Sequence, residues 1–219
     1  MKWIDPHYRD ETMALIPSAG TLLFSKRWGA GLALLVMVLL VIARSCAAAP
    51  PPGIADCPRT ADMPPALKID HYRGPTPACV PDAITLDVAG LQTLLAEEKP
   101  VLVDVWAILR RVEEGFGSTW LPNDEHESLP AAVWLPNVGY GTLEPDLEAY
   151  LKQNLERLTL GDKTKPLVFF CVADCWMSWN TVQRVRAYGY SRVYWFKDGT
   201  DGWAEKGLEL VKVEPVKLE

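Results

Sequence analysis

The stretch Leu167-Val-Phe-Phe-Cys171-Val-Ala-Asp-Cys175-Trp-Met-Ser-Trp-Asn180 decides the fold. Its first five residues are a short, continuous apolar run, which predicts a strand that is buried on both faces. After a loop, Ser178 or Asn180 opens a predicted helix that ends at Gly189. A buried strand that leads through a short loop into a helix is typical of an α/β fold.

The same alternation of strands and helices continues on both sides of this stretch. The further elements predicted are strands at 100–106, 132–135 and 193–196, and helices that begin near Asp87, begin at Pro145 and span 202–207. Residues 107–143 otherwise read as loops. Together these elements predict one α/β domain with a mainly parallel sheet and helices on both faces.

The N-terminal part of the chain predicts export. Residues 28–43 are apolar, Lys26-Arg27 precedes them, and small residues and three prolines follow. This layout is that of a secretory signal, so residues 1–49 are predicted to be a cleaved signal peptide or a signal anchor in the inner membrane that faces the periplasm. The rest divides into a proline-rich extended lead at 50–83, the domain at 84–212 and a tail at 213–219.

Composition limits the classes of partner and cofactor. The 219 residues carry a formal net charge of −6, and removal of residues 1–49 leaves a still more acidic chain. Nucleic acid is not an expected partner, because its binding needs clustered Lys and Arg. Beyond residue 49 the only histidines are His71 and His126, which are not in a ligand-spaced pair, so no metal site is predicted.

Four cysteines remain beyond residue 49, and they form two groups. Cys57 and Cys79 lie in the lead, where a structural disulfide between them is predicted. Cys171 and Cys175 lie four residues apart in the strand-to-helix loop, a spacing that also permits a disulfide.

The chemistry of the chain is predicted to depend on Cys171 as nucleophile and Cys175 as the thiol that resolves it. A helix N-terminus offers free N–H groups and a partial positive charge, and both stabilise a thiolate. Two alternatives stay open. Cys171 can be a small core residue, or the two cysteines can form a purely structural bridge.

Several neighbours are candidates for supporting this chemistry. They are Asp104 near a strand end, Asp174 and Trp176 in and beside the cysteine loop, and Ser178 at the predicted start of the helix. Trp176 and Trp179 are in a position to wall a pocket for a flat ligand. Arg184 and Arg186 are expected on a solvated helix face.

Residues 84–212 resemble a rhodanese domain. Val101-Leu-Val-Asp-Val105 resembles the strand with the family's aspartate, Ser128-Leu-Pro-Ala-Ala132 its His-Ile-Pro-Gly-Ala segment, and Val168-Phe-Phe-Cys171 the strand that ends in the catalytic cysteine. The stretch from Gly189 to Trp203 resembles the closing strand, glycine turn and tryptophan. The resemblance implies a rhodanese-like fold and sulfurtransferase-like or thiol redox activity at Cys171.

Within that family, three segments resemble the pyrroloquinoline quinone (PQQ)-dependent catabolism-associated CXXCW-motif proteins. They are Cys175-Trp-Met-Ser-Trp-Asn180, the stretch 133–141, and Asp198-Gly-Thr-Asp-Gly-Trp203. This likeness implies a role beside periplasmic PQQ-dependent alcohol oxidation, an association with PQQ, and a quinoprotein dehydrogenase or cytochrome c as partner. Three residues separate the cysteines here, where the CXXCW label names two.

The cysteine loop also departs from ordinary rhodaneses. Asp174 and Trp176 stand where those proteins have the glycine and the arginine that cradle a persulfide, and an acid beside a thiolate opposes its formation. A dithiol/disulfide or persulfide relay is therefore expected in place of thiosulfate:cyanide sulfur transfer. The alternative is a non-catalytic accessory module that binds a quinoprotein, its cofactor or its substrate, with Cys171–Cys175 as a structural disulfide.

Overall fold

The computed structural model describes residues 53, 57–61, 63–113, 115, 117–122 and 124–218. The predicted signal at 1–49 lies outside these residues. Within them, no helix combines the length and the apolar character needed to cross a membrane.

The described chain contains nine strands and four helices. The strands are β1 (Ile84–Leu86), β2 (Val101–Asp104), β3 (Leu109–Glu113), β4 (Gly117–Leu121), β5 (His126–Ser128), β6 (Val133–Trp134), β7 (Leu167–Phe170), β8 (Val193–Phe196) and β9 (Val211–Val213). The helices are α1 (Val88–Glu97), α2 (Pro145–Thr159), α3 (Trp176–Ala187) and α4 (Gly199–Glu205).

The main sheet has five strands in the order β1-β8-β7-β2-β6, and every pairing in it is parallel. Its strands are apolar on both faces because a hydrophobic core lies on each side. Phe169 packs with the buried residues of α2 and α3, whereas its neighbour Phe170 packs with those of α1 and with Trp203 of α4. The predicted α/β fold with a mainly parallel sheet is therefore confirmed.

Two of the predicted helix starts are confirmed. Asp87 caps α1, since its Oδ1 accepts a hydrogen bond of 2.7 Å from the Gly90 amide. Pro145 is the first residue of α2, where its missing N–H costs nothing.

The start of α3 differs from its prediction. The helix begins at Trp176, with Cys175 as its cap and no side-chain capping bond. The Trp176 amide donates 2.9 Å to the carbonyl of Tyr72, a distant segment that replaces a capping side chain. The final helix likewise begins three residues earlier than predicted, at Gly199.

Residues 107–143 contain more regular structure than predicted. β3 and β4 form an antiparallel hairpin, and β5 pairs with β9 near the C-terminus. Most hairpin residues are exposed, so they lack the apolar period by which a buried strand is recognised. β5 and β9 have three residues each, too few to show a pattern.

The predicted tail is bound to the domain by hydrogen bonds. The Val216 carbonyl accepts hydrogen bonds of 2.8 Å from both the Trp120 indole and the Tyr150 hydroxyl.

Arg184 does not lie on a solvated face, because it donates to the carbonyls of residues 138, 140 and 141 at 2.7 to 2.9 Å. Its burial lowers the pKa of Arg184. Arg186 donates to two backbone carbonyls, at residues 190 and 191.

The described part of the lead packs against the domain although it contains no helix or strand of its own. Val80 is fully buried, and Met63 and Cys79 join the same core. Cys57 and Cys79 form a disulfide with Cα atoms 5.8 Å apart. The described part of the lead therefore covers part of the domain.

Candidate active site

Cys171 and Cys175 lie at the carboxyl edge of the sheet. Cys171 directly follows β7, the middle strand, and Cys175 directly precedes α3. The two form a disulfide with Cα atoms 6.2 Å apart, inside the usual range for such bonds. Both are deeply buried, at 1% and 2% exposure.

Residues 72–74 of the lead, here called the covering segment, lie across the cysteine loop and the start of α3. Arg73 pairs with Cys175 in an antiparallel bridge, and the Gly74 amide donates 3.0 Å to the Asp174 carbonyl. The Arg73 guanidinium also donates 2.8 Å to the carbonyl of Ala173. The first amide of α3 is thus bound to protein rather than presented to an anion at Cys171.

Asn180 of α3 anchors the lead just before the covering segment. Its side chain exchanges two hydrogen bonds of 2.8 Å with the backbone of Lys68 and donates a third, of 2.9 Å, to the Gly139 carbonyl. Asn180 is fully buried, so these partners replace water completely. Asn180 therefore connects the lead, the turn at residues 136–139 and α3 behind the cysteines.

The opposite side of the loop is held by α4. The Thr200 amide donates 2.9 Å to the Cys171 carbonyl, and an Asp201 carboxylate oxygen accepts 3.1 Å from the Ala173 amide. Gly199 has a φ of +58°, and a Cβ placed there would clash with the Cys171 carbonyl oxygen. This contact explains why glycine stands at the start of α4.

The remaining residues predicted near the cysteines have structural contacts. Ser178 donates 3.1 Å to the Cys175 carbonyl and accepts 2.9 Å from the Trp195 indole. Asp174 is exposed and has a φ of +52°, a conformation that Asp tolerates in tight loops. Trp176 and Trp179 pack edge to face in the core, so they do not wall a ligand pocket as predicted.

Asp104 ends β2 and is the centre of a second polar cluster. Its buried carboxylate accepts hydrogen bonds from the Trp106 amide at 2.9 Å and from the Ser128 hydroxyl at 2.6 Å. His126 Nε2 lies 2.8 Å from the same oxygen that Ser128 uses. The carboxylate therefore ties the loop after β2 to β5.

Sequence reasoning missed His126 as a member of this site. Its spacing from Ser128 held the signal, because residues two apart on a strand point to the same face. The imidazole packs 4.2 Å from the Trp134 ring and is nearly parallel to the Trp106 ring at 6.4 Å between centroids. The structure thus adds a histidine held between two tryptophans.

A cavity of about 420 Å³ opens beside this histidine. It is lined by Trp106, Ala107, Ile108, Leu109, Asp124, Glu125, His126, Trp134 and Tyr140. We call it the Trp106 cavity. Trp106 also connects it to the covering segment, because the Arg73 guanidinium lies 5.9 Å from the centre of that ring.

Comparison with solved structures returned sulfur-transfer proteins of low sequence identity. A thiosulfate sulfurtransferase from Pseudomonas aeruginosa is 19% identical over 60% of this chain and 20% of its own length, with a TM-score of 0.41. A polysulfide-sulfur transferase homodimer from Wolinella succinogenes is 23% identical over 59% of this chain and 79% of its own, with a TM-score of 0.39. This chain therefore spans about a fifth of the first protein.

Comparison with families gave a more extensive match. No curated protein sequence matches the chain. The profile of the family described as rhodanese-like domain matches residues 87–206, which include β2, β7, the cysteine loop and α4. Because this match spans more than half of the 219 residues, the protein belongs to the rhodanese-like domain family.

Proposed function

We propose that the protein is a rhodanese-like dithiol relay, in which Cys171 accepts sulfane sulfur and Cys175 releases it as hydrosulfide by forming the Cys171–Cys175 disulfide. The observation that supports this most directly is the disulfide between these residues, in the loop that joins the middle strand to α3. A thiol pair in direct contact can pass one sulfur atom or two electrons without further groups.

The proposed cycle has two steps and begins with the reduced pair. The Cys171 thiolate attacks the outer sulfur of the donor, and the rest of the donor leaves as a thiolate from a persulfide or as a polysulfide shorter by one sulfur atom from a polysulfide. The Cys175 thiolate then attacks Sγ of the Cys171 persulfide, and the outer sulfur leaves as hydrosulfide. The sulfane sulfur is reduced, the two cysteines are oxidised to the disulfide, and a partner dithiol restores them by exchange.

The loop supports intramolecular resolution better than transfer to a small anion. The α3 amide at Trp176 is bound to Tyr72, and the Ala173 amide is bound to the Asp201 carboxylate. Neither amide is available to stabilise a bound anion. A second thiol, already in bonding distance, provides another route for the sulfur.

Access to the disulfide requires movement of the covering segment. Exchange needs an attacking thiolate in line with a sulfur atom, and both cysteines are almost fully buried. We therefore place the opening of residues 72–74 before each exchange step.

Sulfur loading of cysteine variants tests the proposal. After reduction and exposure to polysulfide, Cys175→Ser should keep one added sulfur atom on Cys171, as measured by peptide mass spectrometry. The wild type should release hydrosulfide and return to the disulfide, and Cys171→Ser should do neither. The pair Cys57→Ala and Cys79→Ala removes only the other disulfide and should still release hydrosulfide and re-form the Cys171–Cys175 disulfide; only the products are compared, because residues 72–74 lie within the loop that the Cys57–Cys79 disulfide closes. Equal loading of Cys171→Ser, or no loading of Cys175→Ser, would contradict the relay.

The burial of both cysteines favours a second candidate function, that of a non-catalytic accessory module with a permanent Cys171–Cys175 disulfide. A redox titration separates the two. A potential below about −300 mV is that of a structural disulfide, and a higher potential is that of an exchangeable one.

We further propose export and a role beside a periplasmic quinoprotein dehydrogenase or cytochrome c, on the basis of the sequence alone. PQQ itself does not suit the Trp106 cavity, because PQQ is a polycarboxylate and Asp124 and Glu125 line that cavity. The partner, rather than this chain, would hold the cofactor. Fractionation of cells followed by co-purification from the periplasm tests both ideas, and recovery of the chain in the cytoplasm would contradict the export.

A further inference from the structure

The Trp106 cavity has the form of a small-molecule site. Its volume of about 420 Å³ falls within the range of ligand pockets, about 300 to 1,000 Å³. The cavity lies beside the polar cluster of Asp104. The hydrogen bonds of the Asp104 carboxylate fix the loop after β2 and the strand β5, and residues of both line the cavity. The cavity is therefore a preformed feature of the sheet edge.

Aromatic rings supply much of the lining. Trp106, Trp134 and Tyr140 each contribute, and the Trp134 indole donates 2.9 Å to the Trp106 carbonyl, which fixes one tryptophan against the other. Aromatic faces carry partial negative charge and attract cations within about 6 Å. The Arg73 guanidinium lies 5.9 Å from the centre of the Trp106 ring, and it also donates a hydrogen bond to the Ala173 carbonyl.

The charged groups at the cavity are mainly acidic. Asp124 and Glu125 are among the described lining residues, which include no lysine or arginine. Lys212 pairs with Glu125 at 2.5 Å, but its side chain is 64% exposed and the pair is screened by water. His126 completes the wall, with the buried Asp104 carboxylate behind it.

We propose that the Trp106 cavity binds an organic ammonium cation. Aromatic cages are how proteins recognise methylated ammonium groups, and here three aromatic side chains and two carboxylates line one cavity. The cavity can hold such a head group together with a small attached ring or chain. The inference goes beyond the proposed relay, because binding uses neither cysteine.

Three aromatic probes of similar size and different charge test the proposal on the intact protein. They are phenyltrimethylammonium, benzenesulfonate and benzyl alcohol, with binding measured by tryptophan fluorescence and by calorimetry. The cation should bind at least about tenfold more tightly than either other probe. Equal affinity for the three probes, or no binding of the cation at millimolar concentration, would overturn the proposal.

Variants locate the site. Trp106→Ala should weaken binding of the cation by about tenfold, and Trp106→Phe should restore part of the loss.

Because Trp106 also contacts the covering segment, the exposed acids give a second test. The double variant Asp124→Asn, Glu125→Gln should weaken cation binding by about two- to fivefold. Glu127→Gln changes a neighbouring exposed acid that does not line the cavity and should have no effect. Equal effects of the double variant and Glu127→Gln would refute the site.

Discussion

Gly199 is where the backbone of one helix meets the backbone of the cysteine loop. Its positive φ and its closeness to the Cys171 carbonyl are two separate requirements for glycine. Gly207, at a φ of +70°, has only the first requirement, because no atom lies within 4 Å of the position a Cβ would take. Comparison of alanine variants at the two glycines therefore separates the cost of a positive φ from the cost of the backbone clash.

We expect Gly199→Ala to lower the free energy of unfolding more than Gly207→Ala does. The conformational cost, about 1 to 2 kcal/mol, applies to both variants, and the clash with the Cys171 carbonyl adds to it at 199 alone. Urea denaturation measures both values. Equal losses would show that the loop can move away from α4 at no cost.

Asp104 uses both carboxylate oxygens. One accepts from the Trp106 amide, and the other meets Ser128 and His126. An asparagine has one acceptor oxygen, so its NH₂ group must face either the Trp106 amide, which can only donate, or Ser128 and His126, which would then have to accept. Asparagine therefore cannot keep all three contacts as they are.

We expect Asp104→Asn to lower the free energy of unfolding by about 2 kcal/mol, the cost of a buried donor left without an acceptor. Asp124→Asn, at an exposed position, is the control and should change it by less than about 0.5 kcal/mol. Denaturation in urea tests the pair. Overlapping unfolding curves for the two variants would mean that the cluster rearranges around the amide.

At the scale of elements, α3 holds the lead in place as well as the cysteine loop. Asn180 fixes Lys68, and the first amide of the helix fixes Tyr72. The covering segment thus depends on a side chain that touches neither cysteine. This dependence makes access to the disulfide testable without changing the disulfide.

We expect Asn180→Ala to speed the reduction of Cys171–Cys175 by dithiothreitol by about tenfold or more. The variant loses one buried and two partly buried hydrogen bonds that hold the lead in place, each worth about 1 kcal/mol. The rate is measured by alkylation and mass spectrometry. Asn154→Ala, which removes bonds local to α2, is the control and should leave the rate unchanged. A rate unaffected by Asn180→Ala would mean that reduction does not require the lead to open.

The elements that sequence reasoning predicted are those with local signals. The apolar runs of β2, β7 and β8, the Asp87 cap of α1 and Pro145 at the start of α2 depend on neighbours in the chain. The start of α3 depends instead on Tyr72, about a hundred residues away, and the pairing of β5 depends on β9. Within the site, the cysteine loop was predictable because its signal is local. His126 and the covering segment were not, because only the folded chain brings them close to the other site residues.

At the scale of the whole molecule, the lead is part of the hydrophobic core and carries a disulfide. Val80 and Cys79 are buried in the main core, and the Cys57–Cys79 disulfide closes a loop with a sequence separation of 22 residues. In the chain-entropy model a cross-link of that span stabilises the folded protein by about 3 kcal/mol. The lead is therefore expected to contribute to global stability.

We expect the pair Cys57→Ala and Cys79→Ala to lower the free energy of unfolding by about 3 kcal/mol, as measured in urea under oxidising conditions. Addition of a mild reductant should destabilise the wild type to a similar extent. The reductant should have much less effect on the variant, which provides the internal control. If the variant unfolds at the wild-type urea concentration, the lead is only a covering and contributes nothing to the core.

The bond between Lys68 and Asn180 also has a consequence for biosynthesis. Ribosomes make the lead before the domain, and Asn180, which binds Lys68 of the lead, is 112 residues further along the chain. Until that partner emerges, the apolar side chains of the lead have no surface to pack on, and contacts of such long range form slowly. A nascent chain of this protein is therefore expected to expose its lead during synthesis, which makes the lead the expected point of contact for a chaperone.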